Sequence, residues 1–152
     1  MKRPVVVLLS AALLLALPGI AFAASRFYRG PAGPGRNADI EITAKLAAAR
    51  PHKPTKLTRV EWANIPAACG RYAPSATSGF YPEDVPVTRS GTFRDSAKLN
   101  RGRVTVTLSG SFTSHPTAVS GTIRIKGAIP GCGTGDTGVV RWHAKPPPPV
   151  RR

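Results

Sequence analysis

The sequence predicts an all-β protein: an antiparallel β-sandwich carrying one disulfide. Three observations lead there. Apolar side chains recur at every second position, turn-forming residues bound most of those runs, and only Cys69 and Cys132 are available for pairing.

The chain opens with a leader, residues 1–23. Lys2 and Arg3 precede an apolar run over 5–17 that only Ser10 interrupts, and Pro18-Gly19 break it before Ala21-Phe22-Ala23. Charge, apolar run, breaker and small residues in that order form a secretory signal, cleaved before Ala24. A membrane anchor needs about 20 uninterrupted apolar residues, and this run stops short. No cysteine lies near the cleavage point to take a lipid, and no L-P-x-T-G-like sorting signal or second apolar span follows. The expected location is secreted, extracellular or in the cell envelope.

Residues 24–37 contain Gly30-Pro31-Ala32-Gly33-Pro34-Gly35, a composition that reads as a flexible linker. Residues 38–145 are long enough for one hydrophobic core. Residues 146–152 form a proline-rich basic tail, read as solvated.

Within 38–145 the strands follow in order. Ile40, Ile42, Ala44 and Leu46 alternate with Asp39, Glu41, Thr43 and Lys45, although 44–50 also looks helical, with Pro51 as its stop. Val60 and Trp62 alternate with Arg59 and Glu61, and Val104, Val106 and Leu108 with Arg103, Thr105 and Thr107. Val119, Ile123 and Ile125 alternate with Ser120, Thr122 and Arg124, and Val140 and Trp142 with Arg141 and His143. Such runs suit half-buried antiparallel strands, and two sheets face to face bury the apolar sides.

One pairing can be specified by residue. Strands 103–112 and 118–126 flank Ser114-His115-Pro116-Thr117, a hairpin loop. Keeping both apolar faces inward sets Phe112 opposite Val119, Leu108 opposite Ile123 and Val106 opposite Ile125. Gly110 then faces Gly121, leaving a hole that Trp62 or Trp142 could fill; a bulge in either strand would shift the register.

Cys69 and Cys132 are separated by 63 residues in sequence. Closing such a loop stabilises by roughly 4 kcal/mol on chain-entropy grounds. There is no C-x-x-C, and His52, His115 and His143 are too widely spaced for a local zinc motif, so no redox or metal role is expected.

Cys69, Gly91-Thr92-Phe93, Val119-Ser120-Gly121-Thr122-Ile123-Arg124, Cys132-Gly133-Thr134-Gly135 and Trp142 occur in an order that resembles small secreted bacterial β-sandwich domains of unknown function. The resemblance spans about residues 38–144. It implies a fold and no chemistry. The segment Asp136-Thr137-Gly138 is slightly longer than that pattern usually has.

The net charge is +15; removing Lys2 and Arg3 with the leader leaves 20 basic against 7 acidic residues, or +13. Fifteen of the 22 basic residues are arginine. An anionic partner is one reading and a compositional bias toward Arg, Ala, Gly and Pro is the other. Nucleic acid is not expected of an exported chain that lacks a nucleic-acid-binding motif. Arg103, Arg124, Lys126 and Arg141 should point outward near one another, edged by Thr105, Thr107 and Thr122, as a ligand-binding face for an anionic envelope polymer, a lipid headgroup or a protein partner.

No catalytic motif or cofactor signature is present, and no catalytic residue is assigned. Glu83 and Asp84 are adjacent and point apart in an extended segment. The stretch 133–138 has the glycine spacing of a calcium loop but one carboxylate, and reads as a turn. The alternative function is a small hydrolase with a cleft near His143, using Asp136 and a serine such as Ser109. Oligomeric state has no sequence signal.

Overall fold

The computed structural model describes residues 24–148 apart from Ala49 and Pro116; the leader, 1–23, and the end of the tail lie outside the described residues. Among these residues the strands are β1 (Ser25–Pro31), β2 (Asp39–Ala47), β3 (Arg50–Ala67), β4 (Ser75–Phe80), β5 (Val85–Pro86), β6 (Thr92–Leu99), β7 (Val104–Phe112), β8 (Val119–Gly127), β9 (Gly135–Asp136) and β10 (Val140–Ala144). One sheet runs β1-β2-β3-β4 with β5 on β3, and the other runs β10-β8-β7-β6 with β9 on β8. Neighbouring strands within both sheets pair antiparallel, and their apolar faces meet in one core.

The hairpin register is the expected one, consistent with the alternation on both strands. Phe112 pairs with Val119, Leu108 with Ile123, Val106 with Ile125 and Gly110 with Gly121. The hole over the glycines is filled from both sides. Phe93 of β6 stands opposite Gly110 and Trp142 of β10 opposite Gly121. Their rings lie nearly parallel above the pair, with centroids 6.2 Å apart and planes at 22°. Trp142, rather than Trp62, is therefore the ring over the glycines.

The linker expectation for residues 24–37 fails over its first half. Ser25–Pro31 is strand β1, paired with β2 from Ser25↔Lys45 to Pro31↔Asp39. Tyr28 is wholly buried and meets Phe112 edge-on at 5.5 Å between centroids. Gly30 is there for close approach: a Cβ added to it would come within 2.9 Å of the Ala144 Cα. Arg29 and Lys145 exchange backbone hydrogen bonds of 2.9 and 3.1 Å, so β1 joins β10 and closes the sandwich along that edge.

The helix expected over 44–50 is absent as well. Ala44 and Leu46 are buried members of β2, and Arg50 already opens β3. The cross-strand partner overrides the helix preference of the alanines. β3 skips residues at its bulges: Thr43 and Ala44 pair with Arg59 and Leu57, and Lys45 and Leu46 with Lys56 and Pro54. The skipped threonines bond across, Thr58 Oγ1 donating to the Thr43 carbonyl at 3.3 Å and Thr55 Oγ1 to that of Lys45 at 3.1 Å. Pro54, with no N–H to give, sits where the ladder is already broken.

Cys69, just past β3, is bonded to Cys132, in the connection from β8 to β9. The Cα atoms are 4.9 Å apart, within the usual range for a disulfide. The bond ties one sheet to the other, beside the antiparallel bridge Ala68↔Asp136.

Candidate functional site

Alternation decides which side chains the second sheet presents outward. Across its outer face, β6 contributes Arg94, Ser96 and Lys98; β7 contributes Thr105, Thr107, Ser109 and Ser111; β8 contributes Thr122, Arg124 and Lys126; and β10 contributes Arg141. The register sets them in rows. Lys98, Thr105 and Lys126 stand side by side, then Ser96, Thr107 and Arg124, then Arg94, Ser109, Thr122 and Arg141. The middle strand is thus a line of hydroxyls, with cations on both sides. The cation-bearing strands flanking it, β6 and β8, are separated by two strand spacings, roughly 10 Å.

Of the four cations expected on this face, Arg124, Lys126 and Arg141 share it. Arg103 does not belong to a strand and lies in the turn between β6 and β7, at the end of the sheet. Arg94 and Lys98 were missed. Their signal was readable, since Phe93 and Ala97 are buried and Arg94, Ser96 and Lys98 alternate with them.

Arg124 is already engaged. Its Nε donates to Asp136 Oδ1 at 3.0 Å and its Nη2 to Oδ2 at 2.6 Å, a two-point pair. The Gly138 amide also donates to Asp136 Oδ1, at 2.8 Å. The Arg124 guanidinium, aided by that amide, holds the Asp136 carboxyl below the usual carboxylate range against the opposing effect of burial. Arg124 retains further N–H donors for another anion. Arg94, Lys98 and Arg141 make no ion pair among the described residues, and Lys126 stands opposite Asp136.

The acids are distributed elsewhere. Asp39, Glu41 and Glu61 lie on the outer face of the first sheet, where Arg29 pairs with Asp39 and Glu41 and Arg59 with Glu61. Asp84 pairs with Lys56. Asp95 alternates with the outward side chains of β6, on the inward face beside buried Phe93 and Ala97. Glu83 lies in the connection from β4 to β5, so among the described residues Asp136 is the one carboxylate at the hydroxyl-and-cation face.

The hydrolase residues do not meet. Asp136 pairs with Lys126 and His143 with Ser120, six residues apart on β8 and so roughly 20 Å distant. Ser109 Oγ hydrogen-bonds Thr122 Oγ1 at 2.8 Å. Among the described residues no group of three or more His, Cys, Asp or Glu is placed to hold a metal. No family model, curated protein or solved structure matches the chain.

Proposed function

We propose that this chain is an exported, non-catalytic binding module whose outer second-sheet face takes a linear anionic polymer of the cell envelope or its surroundings. The observation that carries this reading is charge segregation. The other acids lie off this face, and Asp136 stands at its border, leaving a strand of hydroxyls between two lines of cations. Compositional bias accounts for many arginines but not for that sorting. A chain laid along β7 would meet a cation in each row, roughly 7 Å apart: Lys98 and Lys126 on both sides, then Arg124 from β8 alone, then Arg94 from β6 with Arg141 one strand further out. Arginine would grip phosphate or sulfate groups through paired N–H donors, and the threonine and serine hydroxyls would add neutral hydrogen bonds. The disulfide suits an oxidising compartment. Cleavage of the leader after Ala23 would free a chain whose second residue begins β1.

The test uses long-chain polyphosphate as the probe. Binding should weaken steeply with salt, because exposed charges are screened over roughly 8 Å at physiological ionic strength. The triple substitution R124Q/K126Q/R141Q should abolish it. The triple K53Q/R71Q/R89Q removes the same charge from exposed positions elsewhere and should leave most of it. Equal losses from the two would reduce the reading to general cationic attraction.

A further inference from the structure

The strand period of β7 sets the repeat of what the outer face of the second sheet can hold. Thr105, Thr107 and Ser109 stand two residues apart on that strand, half-buried between the exposed Arg94 and Lys98 of β6 and the exposed Arg124 and Lys126 of β8. The hydroxyls are the floor of a trough and the cations its walls. Long basic side chains adjust their reach, whereas serine and threonine are short and threonine is stiff at χ1. The floor therefore carries the spacing, and the walls supply neutralising charge.

Each row of the floor keeps an O–H to give. Ser96 and Thr107 share one hydrogen bond, Oγ to Oγ1 at 3.4 Å, and Ser109 and Thr122 share another at 2.8 Å. Two hydroxyls joined by one bond spend one of their two protons, so each pair retains a donor. Thr105, between Lys98 and Lys126, brings its own. A donor thus recurs at every second residue of β7, roughly 7 Å apart.

Two residues of extended chain contain six backbone bonds. A phosphodiester polymer with phosphorus, two oxygens and three carbons in each repeat also has six, of similar length, and extends by the same distance, roughly 7 Å. Its phosphates would fall in step with the rows. Each would meet a hydroxyl donor and a cation, Arg124 serving with the N–H groups that Asp136 leaves it. Polyphosphate has two bonds per repeat, so only every third phosphate is in step. Single-stranded nucleic acid shares the six-bond repeat but is held by rings on which its bases stack. The exposed large apolar side chains among the described residues are Phe27, Tyr72, Phe80 and Val139, and none belongs to β6, β7 or β8. A polyol backbone has no base to stack, and its own hydroxyls suit a floor of threonine and serine.

Resting on the anionic-polymer reading above, we propose that the polymer held on this face is a polyol phosphate with a three-carbon repeat, poly(glycerol phosphate), measured out by the hydroxyls along β7. The test titrates synthetic oligomers with equal numbers of phosphates, joined by ethane-1,2-diol, propane-1,3-diol, glycerol or butane-1,4-diol, at one ionic strength. Charge density alone favours the shortest spacer. The hydroxyl rows favour three carbons: the ethanediol oligomer, one bond short per repeat, loses step by roughly 1.2 Å at each row. It should bind about tenfold more weakly than the propanediol oligomer, the worth of a hydrogen bond to a charged group. Butanediol can shorten by buckling and should fall between them, and glycerol should bind at least as tightly as propanediol. Removing all five hydroxyls, S96A/T105V/T107V/S109A/T122V, keeps every charge and should erase the preference. Ethanediol bound as tightly as propanediol by the wild type, or a preference that survives the loss of the hydroxyls, would overturn the proposal. Oligothymidylate bound more tightly than the glycerol oligomer would assign the face to single-stranded nucleic acid instead. The face itself is tested separately. Equal losses from R124Q/K126Q/R141Q and K53Q/R71Q/R89Q would remove the face, whereas unequal losses without a spacer preference would remove only the polyol phosphate.

Discussion

At the scale of single residues, the glycine pair shows how a missing side chain is used. Gly110 and Gly121 are the floor on which Phe93 and Trp142 lie. A Cβ at Gly121 would stand 2.7 Å from Trp142 Cζ2 and equally near the Gly110 Cα, so backbone and a ring would both have to move. Overpacking of this kind typically costs about 1–3 kcal/mol. G121A should therefore lower stability toward the top of that range in urea unfolding. Gly133 supplies the comparison: its φ is +69° and nothing lies within 4 Å of an added Cβ, so G133A should cost only the backbone penalty, about 1 kcal/mol. Equal costs would mean that the ring over Gly121 yields freely. The pairing of these glycines could be read from the sequence because alternation on both strands allows only every second register and the short loop 114–117 selects among those. The identity of the covering ring could not, because two tryptophans occupy equivalent places in their strands and only the sheet order separates them.

Among the elements, legibility followed neighbours. β7, β8 and β10 carry long alternation and were plain. β1 was not, because its signal is one buried residue, Tyr28, within a segment whose glycines and prolines suggest a loose chain. Gly30 was read as flexibility and is in fact a point of contact with β10. The alanines of 44–50 were read as helix because propensity is local, whereas the pairing of β2 with β3 is not. On the outer face of the second sheet, Arg124, Lys126 and Arg141 are legible from outward parity, as are Arg94 and Lys98, while the Arg124–Asp136 pair is invisible without β9. The contrast between linker and strand is testable. Tyr28→Ala removes a buried ring that packs on Phe112 and should cost roughly 3–5 kcal/mol, the usual range for a large aromatic truncated in a core. A solvated linker would give no change. Trypsin should likewise spare Arg26 and Arg29 in the native protein and cut there as soon as Tyr28 is replaced.

At the scale of the whole molecule, the sandwich is fastened at two places and open at a third. The β1–β10 bridges close one edge, and the disulfide with the Ala68↔Asp136 bridge fixes a corner, while the seam between β4 and β6 stays unpaired. The fastened corner also reaches the outer face of the second sheet. Asp136 exchanges backbone hydrogen bonds of 2.9 and 3.0 Å with Ala68, the residue before Cys69, and lies four residues beyond Cys132. The disulfide thereby holds the carboxylate against Arg124. Because the native carboxyl is depressed below its ordinary value of 3.8, its contribution to stability is complete above that value and is lost as pH falls through the native one. The intact protein should weigh two hydrogens less than the free-thiol chain. C69S/C132S should lose about 4 kcal/mol, less any strain relieved. In that variant the ¹³C titration of Asp136 should move up toward 3.8, and the stability difference between wild type and D136N, measured above pH 5, should shrink. Such a result would mean that the cross-link tunes how much of Arg124 is left for an outside anion. An unchanged Asp136 titration would mean that pairing with β8 alone positions β9, and that the disulfide acts on stability without reaching the face.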